Sequence, residues 1–115
     1  MAVKIELVVD VTDLDRMVEF YRAALGYQRR GAVEQYASIV PPPGEAGPKI
    51  IFQRVAEPKT VKNRLHLDLH HADIEAAASR LVSLGATRLR RYDELGTSWI
   101  LMADPEGNEI CVCQE

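Results

Sequence analysis

The chain has 115 residues, of which 47% are hydrophobic and 27% are charged, a balance typical of one soluble globular domain with a sizeable core. The net charge of −3 comes without a basic block, which excludes nucleic acid as a main partner because phosphate binding needs clustered lysines and arginines. No apolar run is long enough to span a membrane, and the short, charge-interrupted N-terminus does not have the form of a signal peptide.

The first half begins with an alternating segment, residues 3–11, which predicts a strand with Ile5 and Leu7 on its buried face. A helix is predicted to start at Thr12, with Asp15 in the capping-box position, and to stop at Gly26. Its apolar stripe is Leu14, Met17, Val18, Tyr21, Ala24 and Leu25. Strands are predicted at 27–31, 35–41 and 49–55, with the proline-rich residues 41–48 as a loop.

The second half follows the same plan. An alternating strand over 65–71 places Leu65, Leu67 and Leu69 on the buried face and His66, Asp68 and His70 on the other. A helix is predicted from Asp73 to Gly85, with an apolar stripe of Ile74, Ala77, Ala78, Leu81 and Leu84. Strands are predicted near 87–92, 97–103 and 109–114, and residues 104–108, DPEGN, form a turn.

Residues 5–26 and 65–85 therefore repeat one pattern, which indicates two copies of a β-α-β-β-β unit. The fold class is α+β, with one domain over 1–115. The first module is predicted at 3–56, the linker at 57–63 and the second module at 64–115.

Three segments resemble the vicinal oxygen chelate superfamily of glyoxalase I, extradiol dioxygenases and bleomycin-resistance proteins. They are VTDLDRMVEFYRAALG, RLHLDL followed by DIEAAASRLVSLGAT, and DPEGNEICV near the end. The chain is most similar to the glyoxalase-like branch of small bacterial proteins. This resemblance implies that the two modules form a curved mixed sheet around a cleft, with helices outside, and that the protein is a homodimer.

The resemblance also places possible metal ligands at Glu6, His66 and Cys111, with Gln53 as the first-half counterpart of Cys111. A zinc, nickel or iron ion at these positions is one interpretation, and the absence of any cofactor is the other. An extradiol iron site is disfavoured because it needs two histidines and one carboxylate, and His66 is the only histidine at a matched position. Without a metal, His66 is a cavity or surface histidine and Cys111 a small buried hydrophobe.

Other side chains suggest ligand binding. Trp99 is predicted to face the cleft as an aromatic wall, because Ile100 and Met102 make the buried face of its strand, although packing in the core or a dimer is the alternative. Tyr36 is a similar candidate. Asp68 and His66 could form an acid–base pair, or Asp68 could instead pair with Arg54 or Arg64.

Cys111 and Cys113 lie two residues apart on one predicted strand, so they cannot easily form a disulfide with each other. They are predicted to be reduced thiols in a cytoplasmic protein.

These residues leave three functions open. The first is a lyase- or isomerase-type enzyme that acts on a small molecule, with a metal at Glu6, His66 and Cys111. The second is a metal-free protein that binds or sequesters a drug-like ligand through Gln53, Trp99 and Tyr36. The third is metal-free acid–base catalysis by His66 and Asp68.

Overall fold

The computed structural model describes residues 1–115 and divides into two compact units, Met1–Pro58 and Lys59–Glu115. Each unit has one strand, one helix and then three strands in chain order. The α+β class and the two βαβββ modules predicted from the repeat are thereby confirmed. Neither helix combines the length and apolar character needed to cross a bilayer.

The first module has a four-stranded mixed sheet with one helix. Its elements are β1 (Leu7–Val11), α1 (Leu14–Leu25), β2 (Gln28–Val33), β3 (Tyr36–Val40) and β4 (Ile50–Arg54). The strand order is β1-β4-β3-β2, in which β1 and β4 are parallel and the other pairs antiparallel.

The second module repeats this arrangement. Its elements are β5 (Leu67–His71), α2 (Ile74–Leu84), β6 (Thr87–Glu94), β7 (Thr97–Ala103) and β8 (Glu109–Gln114). The strand order is β5-β8-β7-β6, with β5 and β8 parallel.

Both helices begin at an aspartate and end at a glycine. The Asp13 carboxylate accepts the Arg16 backbone N–H at 3.2 Å, and that of Asp73 accepts the Ala76 N–H at 3.0 Å. The predicted start at Thr12 is wrong by one residue, because the Asp13 carboxylate caps the helix and also complements its dipole. Gly26 and Gly85 adopt left-handed backbone conformations, which confirms both predicted helix ends.

Each helix covers one face of its own sheet and forms the module's core. In the first module this core contains Val11, Ile39, Ile50 and Phe52 of the sheet, with Met17, Val18, Phe20 and Tyr21 of α1. In the second it contains Ile100, Met102, Ile110 and Val112, with Ile74, Ala78 and Leu81 of α2. Phe20 was not part of the predicted stripe, yet only 3% of it is exposed.

The predicted burial of Ile5 and Leu65 is wrong, because these residues are 70% and 87% exposed. Each lies two positions before the first residue of its strand, Leu7 or Leu67. The alternation of the sequence therefore extends beyond the segment that pairs in the sheet.

The strand registers also correct the match between the two halves. Val8 lies opposite Ile51 in the first sheet, and Asp68 lies opposite Cys111 in the second. Ile51 is therefore the counterpart of Cys111, whereas Gln53 corresponds to Cys113. The hairpin of β6 and β7 is longer than that of β2 and β3, and the loop before β4 is longer than the turn before β8. One connection is longer in the second half and the other is longer in the first half. An alignment of the two halves by sequence alone therefore does not show which residues of the last strands correspond.

Candidate functional site

The second sheet presents its chemically reactive side chains on the face that α2 does not cover. We call this the site face, defined by His66, Asp68, His70, Trp99, Cys111 and Cys113. These residues line a cavity of about 380 Å³. The period-two geometry of β5, β7 and β8 explains the arrangement, because the alternate residues of β7 and β8, such as Ile100 and Val112, are buried in the core.

Three of these side chains form the donor cluster: His66, Asp68 and Cys111. One ligand atom from each lies within 4.8 Å of the other two. His66 Nε2 is 3.2 Å from Asp68 Oδ1, and both side chains are about half exposed. Asp68 therefore pairs with His66, and Arg64 of the same unit makes no ion pair with it. The alternative pairing with Arg54 stays a prediction.

The turn before β8 holds the thiol-bearing strand in place. The buried Asp104 carboxylate accepts the backbone N–H groups of Glu106 and Asn108, each at 2.9 Å. Asn63 then accepts the Glu109 N–H at 2.9 Å and donates to the Asn108 side chain at 3.2 Å. These hydrogen bonds fix the start of β8 and thereby the position of Cys111 in the donor cluster.

The two thiols are free and are held in their neutral form. Burial, and next the neighbouring Asp68 carboxylate, raise the pKa of Cys111 to about 11. The pKa of Cys113 is also raised, first by burial and then by Asp68, to which its thiol is hydrogen-bonded. Without a cation beside them, both cysteines are poor nucleophiles at neutral pH.

This raised pKa gives a testable pH dependence. The rate at which a disulfide reagent modifies Cys111 should rise about tenfold per pH unit until the pH approaches 11, because the thiolate is the reacting form. A Cys113→Ser variant isolates the Cys111 reaction, which stopped-flow absorbance follows. A rate that levels off below pH 9 would contradict the assigned environment.

Trp99 is half-buried and lies on the site face, opposite the buried Ile100 and Met102, as the strand period predicted. Its predicted position in a cleft between the modules stays a prediction. Its indole stacks on the Tyr92 ring with centroids 5.3 Å apart and planes 10° from parallel. The Arg90 guanidinium lies 4.6 Å from the centre of the Tyr92 ring. Trp99 is therefore held by a stacked neighbour while remaining part of the cavity wall.

The remaining predicted site residues belong to the first module. Tyr36 and Gln53 lie opposite each other on β3 and β4, and both line a second cavity of about 410 Å³. Its other lining residues include Val8, Val33 and Ile51, so this surface is mainly apolar. Glu6 precedes β1, and its carboxylate lies 3.6 Å from Lys4 Nζ. The roles of these three residues stay predictions.

Sequence reasoning missed Tyr92, Arg90 and Cys113. The signal that could have placed Tyr92 and Arg90 is the two-residue turn Leu95–Gly96. Both of its residues have positive φ, as is typical of tight hairpins. That turn pairs Glu94 with Thr97 and thereby places Tyr92 opposite Trp99. The position of Cys113 on the same face as Cys111 could have been predicted, because residues two apart on a strand face the same side of the sheet.

A family model described as a glyoxalase-like domain matches residues 6–113. No match was found among curated proteins. Solved structures with the same fold include a glyoxalase/bleomycin resistance protein/dioxygenase family enzyme from Burkholderia phytofirmans PsJN. It has a TM-score of 0.78 and 15% identity, with 95% of each chain covered.

Two further structures show the same fold. The fosfomycin resistance protein FosX from Listeria monocytogenes has a TM-score of 0.81 and 11% identity, covering 100% of this chain and 94% of its own. A glyoxalase/bleomycin resistance protein/dioxygenase superfamily member from Sphaerobacter thermophilus DSM 20745 has a TM-score of 0.72 and 20% identity, covering 100% and 98%. At these identities the likeness concerns the fold.

Proposed function

Because the chain belongs to the glyoxalase-like domain family, we propose that it acts on a small molecule at the site face, as a lyase- or isomerase-type enzyme. The observation that carries this proposal is the donor cluster: one nitrogen, one carboxylate oxygen and one sulfur lie within 4.8 Å of one another on an accessible face. Such convergence of different donor types in a cavity is typical of a reaction centre.

The donor cluster fits a divalent ion of the zinc class. Tetrahedral zinc takes these ligands at about 2.0–2.3 Å, which puts neighbouring ligand atoms roughly 3.3–3.8 Å apart. The 3.2 Å between His66 and Asp68 is already close to this spacing. Imidazole and thiolate suit zinc, whereas a typical non-haem iron site needs a second histidine. Three protein ligands would leave one coordination position open for a substrate.

A bound ion of this class would act as a Lewis acid that stabilises negative charge developing on a substrate oxygen. The chain's own residues would supply the rest of the site. Asp68 lies 3.2 Å from the His66 imidazole and would serve with it as a ligand, while Trp99 provides an apolar wall against which a substrate can be oriented.

A metal-free function is the second candidate, and the Trp99–Tyr92 stack favours it. An aromatic surface held in place before binding can retain a planar ligand with little loss of side-chain entropy. In this case Trp99 would be the binding residue of the site face, and Tyr36 and Gln53 would be those of the second cavity. A third candidate is proton transfer by His66 and Asp68. Without a metal, His66 Nε2 lies 3.2 Å from Asp68 Oδ1, which is close enough for this pair to exchange a proton.

Cobalt binding separates these candidates. Protein purified without a polyhistidine tag should bind one cobalt(II) ion per chain, with the strong visible absorption of a tetrahedral site and a sulfur-to-cobalt charge-transfer band. His66→Ala should remove this spectrum because it deletes the only nitrogen ligand of the cluster. His71→Ala is the matched control, since its neighbour His70 faces the cavity and successive residues of a strand face opposite sides.

A titration without tetrahedral absorption at any cobalt concentration would reject the metal site and leave the two metal-free candidates. An equal loss of the spectrum in His71→Ala would also contradict the assignment, because the change would then reflect general damage to β5.

A further inference from the structure

Four side chains lie in one row across the second sheet, one on each strand. Tyr92 is opposite Trp99, Trp99 is opposite Cys113, and Cys113 is opposite His70. The 5.3 Å between the Tyr92 and Trp99 centroids is close to the roughly 4.8 Å that separates neighbouring strands. The two rings therefore stand side by side on adjacent strands, each nearly parallel to the other.

The third place in this row holds a cysteine instead of a ring, which leaves a gap. Trp99 and His70 are two strands apart, so their backbones are separated by roughly 9.6 Å. A flat molecule that contacts a ring on each side at about 3.5 Å needs about 7 Å between those rings. The space above Cys113 is therefore wide enough to admit one planar ring system between the indole and the imidazole, and the side chains would close on it by about 2.6 Å to contact both of its faces.

The stacked Tyr92 occupies one face of the indole. The opposite face is on the side of β8, where Trp99, His70 and Cys113 all line the same cavity. A ligand ring that enters there would stack on the free face of the indole. Tyr92 already holds the indole from the other face.

The charges around the gap restrict the ligand further. The cavity lining contains the Asp68 carboxylate and two histidines but neither lysine nor arginine. Arg90 lies over Tyr92, which separates its guanidinium from the gap by two rings. An anionic ligand would meet Asp68 without a compensating permanent cation, and such like-charge contacts are unfavourable.

We propose that the site face binds a planar aromatic molecule, neutral or cationic, whose ring inserts between Trp99 and His70 above Cys113. The inference rests on the proposed function in that it names the ligand class for the same face. It does not depend on a bound metal, so the two proposals can fail separately.

Trp99 is the only tryptophan, and its fluorescence therefore reports directly on the gap. Metal-free protein in excess chelator is titrated with quinoline, N-methylquinolinium and quinoline-4-carboxylate, with correction for absorption by the probes. The neutral and cationic probes should quench Trp99 saturably, and the carboxylate should bind at least about tenfold more weakly. Cobalt binding is measured in a separate sample without chelator, so its failure leaves this titration unaffected.

Three variants test the position of the ring. Cys113→Phe fills the gap and should abolish saturable quenching, while His70→Ala removes one wall and should weaken binding roughly three- to tenfold. His71→Ala is the matched control and should bind as the unaltered protein does. Circular dichroism checks folding, and Cys113→Leu replaces Cys113→Phe if the larger ring prevents it.

The proposal is overturned if none of the three probes quenches Trp99 saturably, or if the carboxylate binds most tightly. It is equally overturned if a folded Cys113→Phe or Cys113→Leu variant binds with unchanged affinity.

Discussion

Phe52→Ala is expected to reduce the free energy of unfolding by about 3–5 kcal/mol, the usual cost of removing a buried aromatic ring. Phe52 is completely buried on the central strand β4, where it lies opposite Val9 and Ala37. Its ring centroid is 5.7 Å from that of Tyr21 on α1, so the ring joins the helix to the sheet. Since small domains are stable by only about 5–15 kcal/mol, this single change should remove a large part of the stability of the first module.

Urea denaturation followed by circular dichroism measures this loss. Val8→Ala is the control, because Val8 is on the uncovered face of β1 and is 57% exposed. It should change stability by no more than about 0.5 kcal/mol. A loss below about 1.5 kcal/mol for Phe52→Ala would show that Phe52 is not central to the core.

Cys111→Ala is expected to lower the affinity for zinc by at least about 100-fold. Loss of a residue that only orients a metal ligand typically costs 10- to 100-fold, so loss of a ligand should cost at least the upper value. Cys111 belongs to the donor cluster, whereas Cys113, on the same face two residues away, does not. Competition with a chromophoric chelator measures the zinc affinity of the unaltered protein and of the Cys111→Ala variant.

Cys113→Ala makes a matched control, because it removes the same chemical group from the same strand. Its zinc affinity should stay within a few-fold of the unaltered protein. An equal loss in both variants would show that the metal uses both thiols, and no loss in Cys111→Ala would remove Cys111 from the site.

The scaffold was predictable because local sequence determines it. The Asp13-to-Gly26 and Asp73-to-Gly85 segments carry helix boundaries and apolar stripes in a few residues, and the alternation of β5 and β8 defines their faces. The cavity-facing positions of His66, Asp68 and Trp99 follow from the same alternation.

The pairing of distant residues was less predictable, because register depends on loop lengths and not on local pattern. The sequence matched Gln53 with Cys111, whereas the sheet pairs place Ile51 there. The contact between Trp99 and Tyr92 likewise depends on the Leu95–Gly96 turn. The predicted homodimer comes from family resemblance, and the predicted cytoplasmic location comes from the two cysteines that cannot easily pair with each other; both stay predictions.

The registers show how the two modules differ in chemistry. Val8 corresponds to Asp68, Ile51 to Cys111 and Tyr36 to Trp99. The uncovered face of the first sheet is therefore mainly apolar, while that of the second carries the donor groups. The same scaffold thus supports two different surfaces, and the reactive groups are concentrated on one of them.

A crystal structure of the protein soaked with zinc, with anomalous data collected at the zinc edge, tests the proposal that the donor cluster binds zinc. We expect an anomalous peak between His66, Asp68 and Cys111, about 2.0–2.3 Å from one atom of each. Strong peaks elsewhere, with none in the donor cluster, would contradict it.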